Sequence, residues 1–312
     1  MSASYMLEQH KLKSIAFSLG LVFGLSLMGA SAADAGGRLL ATGGATQIEG
    51  SAGGGIVPWA LISGYGTEDE IGGTAFVTRV GVLDYNLTAF GAAIGINDRI
   101  EFSVARQQLQ IGSQVLGVAT TVDQDILGVK AKIAGDAIFA QDSLMPQISV
   151  GMQYKENKDY NFVPKAIGAK RSSGVDFYVS ATKLFLGGLA GHNVLLNGTV
   201  RATKANQMGL LGFGGDKNDD YQAVFEGSAG VFLDSANRIL VGYEYRQKPD
   251  NLSSFKEDAY QDIFVAYIPN KRVALVAAYA DLGSLPGSPA ISGGSTHGDN
   301  KKGFYVSAQL SF

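Results

Sequence analysis

Apolar and polar residues alternate one for one along much of this chain. The alternation is clearest in the last ten residues. Phe304, Val306, Ala308, Leu310 and Phe312 fall on one face, and Tyr305, Ser307, Gln309 and Ser311 on the other. A period of two marks a strand whose two faces meet different surroundings. The same pattern recurs upstream. Ile148, Val150, Met152 and Tyr154 oppose Gln147, Ser149, Gly151 and Gln153. Ile239, Val241, Tyr243 and Tyr245 oppose Leu240, Gly242, Glu244 and Arg246. Val175 to Thr182, Val194 to Arg201 and Ile100 to Val104 read the same way, and further strands are expected at 74–83, 87–96, 123–134, 221–233, 258–268 and 271–281. Both faces of 258–268 carry apolar residues, so its orientation is not fixed by pattern.

The connections alternate in length. Asn97-Asp98, Gly187 to Gly191, Asp234 to Asn237 and Pro269-Asn270 are tight, whereas 155–173, 204–220, 248–257 and 283–302 are long and polar or glycine-rich. A transmembrane β-barrel has this layout, with short turns on the periplasmic side and long loops outside. Two connections fit poorly: 135–145 is long for a turn, and 84–86 is short for a loop. The predicted fold is therefore all-β, a closed antiparallel transmembrane barrel of 12 to 14 strands. Twelve strands lie between 74 and 312. Ile56 to Tyr65 either joins Arg38 to Ile48 as a further pair or lies with it inside the wall, where Pro58 and glycines 43, 44, 50, 53, 54 and 55 suit close packing. The expected organisation is a cleaved leader at 1–32, a glycine-rich segment at 33–55 acting as plug or first hairpin, and a barrel over 56–312.

The start of the chain predicts the compartment. His10, Lys11 and Lys13 precede 14 uncharged residues, Ile15 to Met28, and Ala30-Ser31-Ala32 or Ala33-Asp34-Ala35 supplies a cleavage site. This is the layout of a secretory signal peptide. The bacterial outer membrane is the destination it predicts for a barrel. The aromatic-ended final strand is the kind that the barrel-assembly machinery recognises. The 42 glycines and only 7 prolines suit a barrel better than disorder. The absence of cysteine excludes a lipid-anchored form and disulfides. A formal net charge of −3 argues against a nucleic-acid partner.

One stretch resembles a known family. Gly36-Gly37-Arg38-Leu39-Leu40-Ala41-Thr42-Gly43-Gly44, then Gln47-Ile48-Glu49-Gly50, Gly53-Gly54-Gly55, Pro58-Trp59-Ala60-Leu61-Ile62 and Gly64-Tyr65-Gly66-Thr67 are similar to the opening of the proteobacterial family termed domain of unknown function 3034. The resemblance is dense over residues 36–67 and general beyond. It implies an outer-membrane barrel and brings no catalytic residues, cofactor or substrate.

Charge on a lipid-facing wall costs about 2–4 kcal/mol near the midplane, so strand charges belong in the lumen or at the rims. That rule assigns Arg79, Arg99, Glu101, Lys130, Lys132, Asp176, Arg201, Glu226, Glu244 and Arg246 to the lumen. Such a lining makes either a wet pore for small solutes with weak charge selectivity, or a closed ion-pair network in a non-conducting structural or adhesive barrel. Tyr154, Tyr243, Tyr245, Tyr267, Tyr279 and Phe312 are expected to form interfacial girdles against outer-membrane lipid. The apolar run Met208 to Gly215 is a loop that either enters the mouth or packs on the rim. Asp216, Asn218 and Asp220 start a calcium-loop spacing that fails at Tyr221 and Gly227. The histidines beyond the leader, His192 and His297, fall at opposite ends of the barrel, and no Gly-x-Ser-x-Gly elbow occurs, so no enzyme, cofactor or metal site is expected.

Overall fold

The computed structural model describes residues 37–82, 85–112, 119–254, 256–285 and 302–312. The leader, most of the loop 283–302 and its His297 lie outside the described residues. Two short strands, β1 (Ala45–Thr46) and β2 (Ala52–Gly53), form a small hairpin. The wall follows: β3 (Ile71–Val82), β4 (Tyr85–Ile96), β5 (Ile100–Ile111), β6 (Thr120–Ala134), β7 (Gln147–Asn157), β8 (Ser173–Leu189), β9 (His192–Thr203), β10 (Gln222–Phe232), β11 (Ile239–Arg246), β12 (Tyr260–Asn270), β13 (Val273–Asp281) and β14 (Lys302–Ser311). Each wall strand pairs antiparallel with its neighbour, and β14 closes onto β3 from Phe304↔Gly81 to Ser311↔Thr74. The barrel is closed and has 12 strands, so no edge is left unpaired.

The alternation becomes an inside and an outside. Phe102, Val104, Leu127, Val179, Val200, Phe225, Val265, Leu275 and Val306 are exposed on the outer surface. Their neighbours in sequence are buried, save the partly buried Gly128. An exposed apolar belt around a closed barrel is the surface that lipid covers. The ambiguous strand β12 also resolves. Phe264, Ala266 and Ile268 point inward with Asp262, and Ile263, Val265 and Tyr267 point outward.

The core of this barrel lies inside it. Residues 45–65 run through the lumen, and Ile56 to Tyr65 adds no wall strand; the wall begins at Ile71. Ile48, Ile56, Val57, Trp59 and Leu61 of this inner segment pack with Phe76, Val80, Phe264, Val276 and Tyr305 of the wall in one buried cluster. Glycine permits the close approach. A Cβ at Gly54 would stand 1.9 Å from a carboxylate oxygen of Glu244, and Gly64 adopts φ +83° where its backbone crosses Gly72 and Gly73.

Both misfit connections have a structural reason. At the 84–86 connection Val82 pairs directly with Tyr85, so β3 and β4 stay paired up to it. The long 135–146 turn folds beneath the barrel. Ala137 and Ile138 are buried, the Leu184 amide donates to the Ala137 carbonyl at 2.7 Å, and Lys183 Nζ donates to the carbonyls of Asp136 and Ala140.

Candidate functional site: the plugged lumen

The inner segment is bonded to the wall mainly through its main chain. The Glu244 carboxylate accepts from the amides of Gly55 (2.6 Å) and Ile56 (2.8 Å). The Glu101 carboxylate accepts from Ala52 and Ser63. Lys130 Nζ donates to the carbonyls of Ala52 (3.0 Å) and Trp59 (3.2 Å) and pairs with Glu101 at 3.1 Å. Thr199 and Asn197 donate to the Pro58 carbonyl, Gln147 and Ser149 to Ala60, and Trp59 Nε1 to Ser228 Oγ at 2.9 Å. On the far side, Gln309 accepts from the Thr46 amide at 2.9 Å. A segment with little regular structure of its own thus has its buried main chain satisfied partly by the wall and partly by its own bonds, such as Ile48 to Gly55 and Trp59 to Ala52.

Glu49, at the tip of the inner hairpin, is the electrostatic centre. Its carboxylate pairs with Arg246 at 2.7 Å, lies 3.8 Å from Arg201, and forms a very short contact with Lys155. The basic groups are shared onward. Lys155 reaches Asp176 at 2.6 Å, Arg201 reaches Glu226 at 2.5 Å and Asp176 at 3.4 Å, and Arg246 reaches Glu226 at 3.3 Å. All of these side chains are at most 5% exposed. Such a network is tolerable only because each charge has an opposite partner, since an uncompensated buried ion costs several kcal/mol.

The ten charges assigned to the lumen by pattern separate into two groups. Glu101, Lys130, Asp176, Arg201, Glu226, Glu244 and Arg246 are buried inside the wall. Three lie elsewhere. Arg79 is on the outer surface, where Phe76, Thr78 and Val80 take the inner face of β3 against the plug. It stands three residues from the end of β3, where a long side chain reaches the headgroup layer. Arg99 is exposed in the turn between β4 and β5. Lys132 sits at the periplasmic rim beside a bulge and pairs with Asp98 at 2.8 Å. Glu49 and Lys155 went unassigned. Lys155 continues the inward series Gln147, Ser149, Gly151, Gln153 by one further step, a signal present in the sequence. Glu49 lies among glycines with no periodicity to place it. Of the girdle aromatics, Tyr154, Tyr243, Tyr267, Tyr279 and Phe312 are exposed on the outer surface and Tyr245 is partly so; Tyr279 meets Phe304 edge-on at 5.4 Å.

The outer mouth carries its own cover. The loop after β9 turns inward, burying Met208, Leu210, Leu211 and Phe213. Leu211 packs with Val163, Ile167, Ala169 and Leu252 of neighbouring loops. Gln207 donates to the Glu257 carboxylate at 2.6 Å and accepts from Tyr260 at 2.5 Å and Lys248 at 3.1 Å. Burial pushes the Lys248 ammonium down to about 8 and the Glu257 carboxyl up to about 7. Asp216 of the calcium-like spacing accepts from the Ser253 amide at 3.0 Å instead of gathering its sequence neighbours.

A closed twelve-strand wall, apolar outside and charged within, defines a bacterial outer-membrane β-barrel. More particularly, the chain belongs to the family described as protein of unknown function (DUF3034), whose model matches residues 42–309. No curated protein matches its sequence. Similar solved structures include the KdgM porin (8% identity, TM-score 0.46, covering 77% of this chain and 99% of that one) and the NanC porin (9%, 0.46, 76% and 98%). Another is Omp33, an outer membrane protein of Acinetobacter baumannii (9%, 0.42, 79% and 100%).

Proposed function

We propose that this protein is a gated outer-membrane channel: closed by its own amino-terminal segment at rest, and passing small solutes by diffusion when that segment shifts. The observation that carries this reading is that wall charges bond to the main chain of the inner segment. Glu101, Lys130 and Glu244 each do so. An eight-stranded wall can be filled by its own side chains, whereas wider barrels need a plug or hold water. Taking the segment out of a twelve-stranded wall would leave a polar, hydratable lumen. Buried ion pairs are a poor source of stability, because apolar residues of similar volume often serve as well. Charges retained in the lumen therefore suit a wall that is wetted in a second state. Without the plug the lining would carry Lys130, Lys155, Arg201 and Arg246 against Glu101, Asp176, Glu226, Glu244 and Asp262, a near balance that gives weak charge selectivity.

The second reading is a permanently closed structural barrel in the same membrane. It is favoured by the nearly complete burial of the lumen charges. Planar-bilayer recording separates the two. The intact protein is expected to be mostly silent with rare openings, and a variant lacking residues 37–65 to conduct continuously. A deletion variant that is folded, by its heat-modifiable gel migration, yet electrically silent would refute the channel.

A further inference from the structure

The periplasmic end contains a cavity of about 150 Å³ between the plug, the 135–146 turn and the wall. Its floor is apolar and buried: Leu61 from the plug, Ala137 and Ile138 from the turn, and Leu195 and Phe232 from β9 and β10. Its rim is apolar and exposed, with Leu39 at 56%, Phe139 at 65% and Leu186 at 52%. A buried floor with an exposed rim is a site with an opening.

The polar groups that reach the cavity are already bonded. Thr182 Oγ1 accepts from the Ala60 amide and donates to Asn197. Gln141 donates to the Leu184 carbonyl and accepts from the Leu186 amide. Thr42 donates to the Leu39 carbonyl, and Asn237 accepts from Asn193. A water here would find few free partners, and a buried water needs two to four. An apolar guest loses nothing by making no hydrogen bond. A volume of about 150 Å³ lined mainly by aliphatic and aromatic side chains matches a guest the size of benzene.

We infer that this cavity is a binding site for a small uncharged apolar group, the size of a benzene ring or a six-carbon alkyl chain. The guest would touch Leu61 of the plug and residues 39–42 leading into it on one side and the wall on the other. The site needs no conduction to operate, so it stands or falls apart from the channel reading. The guest is either a free hydrocarbon or the end of a lipid acyl chain, and the shared chemistry is the same.

The test is crystallographic, on the full chain. Crystals are soaked in iodobenzene and, separately, grown with a phosphatidylcholine carrying two 6-bromohexanoyl chains. A halogen anomalous peak between Leu61, Ile138 and Phe232 is expected with at least one of them. A peak from iodobenzene alone assigns a free hydrocarbon, and one from the brominated lipid assigns an acyl end. In Ala137→Leu, which fills the cavity from the turn, the peak should fall to noise. Leu40→Trp, filling it from the half-exposed stretch that leads into the plug, repeats the control should Ala137→Leu fail to fold. No peak in the unaltered protein with either compound, or a peak undiminished in a folded filling variant, overturns the assignment.

Discussion

The inner wall has two arcs that hold the same plug by different means. From β5 to β12 it carries charge on every strand: Glu101, Lys130, Lys155, Asp176, Arg201, Glu226, Glu244 with Arg246, and Asp262. From β13 through β14 and β3 to β4 it carries none. Val276, Ala278, Tyr305, Phe76, Val80 and Ala89 face the plug there, with Thr78, Ser307 and Gln309 among them. The first arc grips mainly by ion pairs and charge-assisted bonds to main chain, the second mainly by apolar contact, with Gln309 alone in that list bonding the main chain of Thr46. Ionic bonds depend on each partner being present, whereas apolar contact degrades in proportion to the atoms removed. The lesson is that one face of the plug is held by a few indispensable groups and the other by many replaceable ones.

The largest effect should come from the centre of the charged arc. Glu49→Gln leaves Lys155, Arg201 and Arg246 short of an anion, and a cost of about 3–5 kcal/mol is expected. Equilibrium unfolding from lipid vesicles measures it, and bilayer recording should show more frequent openings. The charged arc should also tolerate paired replacement. Arg201→Met alone should destabilise by a similar amount, and adding Glu226→Leu should restore part of the loss, because removing both partners removes the orphaned charge. An additive double variant would contradict a coupled Arg201–Glu226 pair.

On the uncharged arc, Val276→Ala removes two buried methyl groups. It should cost about 2 kcal/mol, with little change in openings. Equal effects of Val276→Ala and Glu49→Gln on channel opening would erase the distinction between the arcs.

The outer cover adds a pH dependence. Glu257 holds its proton to about 7 in the folded loop against an ordinary 4.5, so stability is lost as pH rises between those values. Lys248 keeps its charge only below about 8 against an ordinary 10.5, so stability is regained as pH rises from 8 to 10.5. The outer cover is therefore expected to be loosest between pH 7 and 8. Amide exchange of residues 207–213, corrected for intrinsic rates, should trace that minimum, and a Lys248→Met, Glu257→Gln double variant should flatten it. The smallest effect belongs to the outer surface: Arg79→Gln, at the rim, should change stability by no more than about 0.5 kcal/mol.

The two arcs also explain what could be read from the sequence. Strand period, turn lengths and the twelve strands beyond residue 74 follow from alternation, which is a local property; that Ile56 to Tyr65 adds no further pair does not. The charged arc follows from the cost of charge in lipid, and Lys155 was missed only because the expected strand ended one step early, at Tyr154. The uncharged arc has no such signature. Val276, Val80 and Phe76 look lipid-facing by composition, and only the plug makes an interior position suit them. The same reasoning misplaced Arg79, because a charged side chain at a rim obeys the lipid rule without entering the lumen. Glu49 could not be placed, since its partners are 106 to 197 residues away in sequence.

The plug joins β3 through Gly66 to Glu70 alone, five residues that span at most about 17 Å. A released plug would stay tethered at the periplasmic mouth, at an effective concentration in the millimolar range. Reclosure would then be an intramolecular event, independent of how many copies the membrane holds. A free peptide of the same sequence would need millimolar amounts to compete with it.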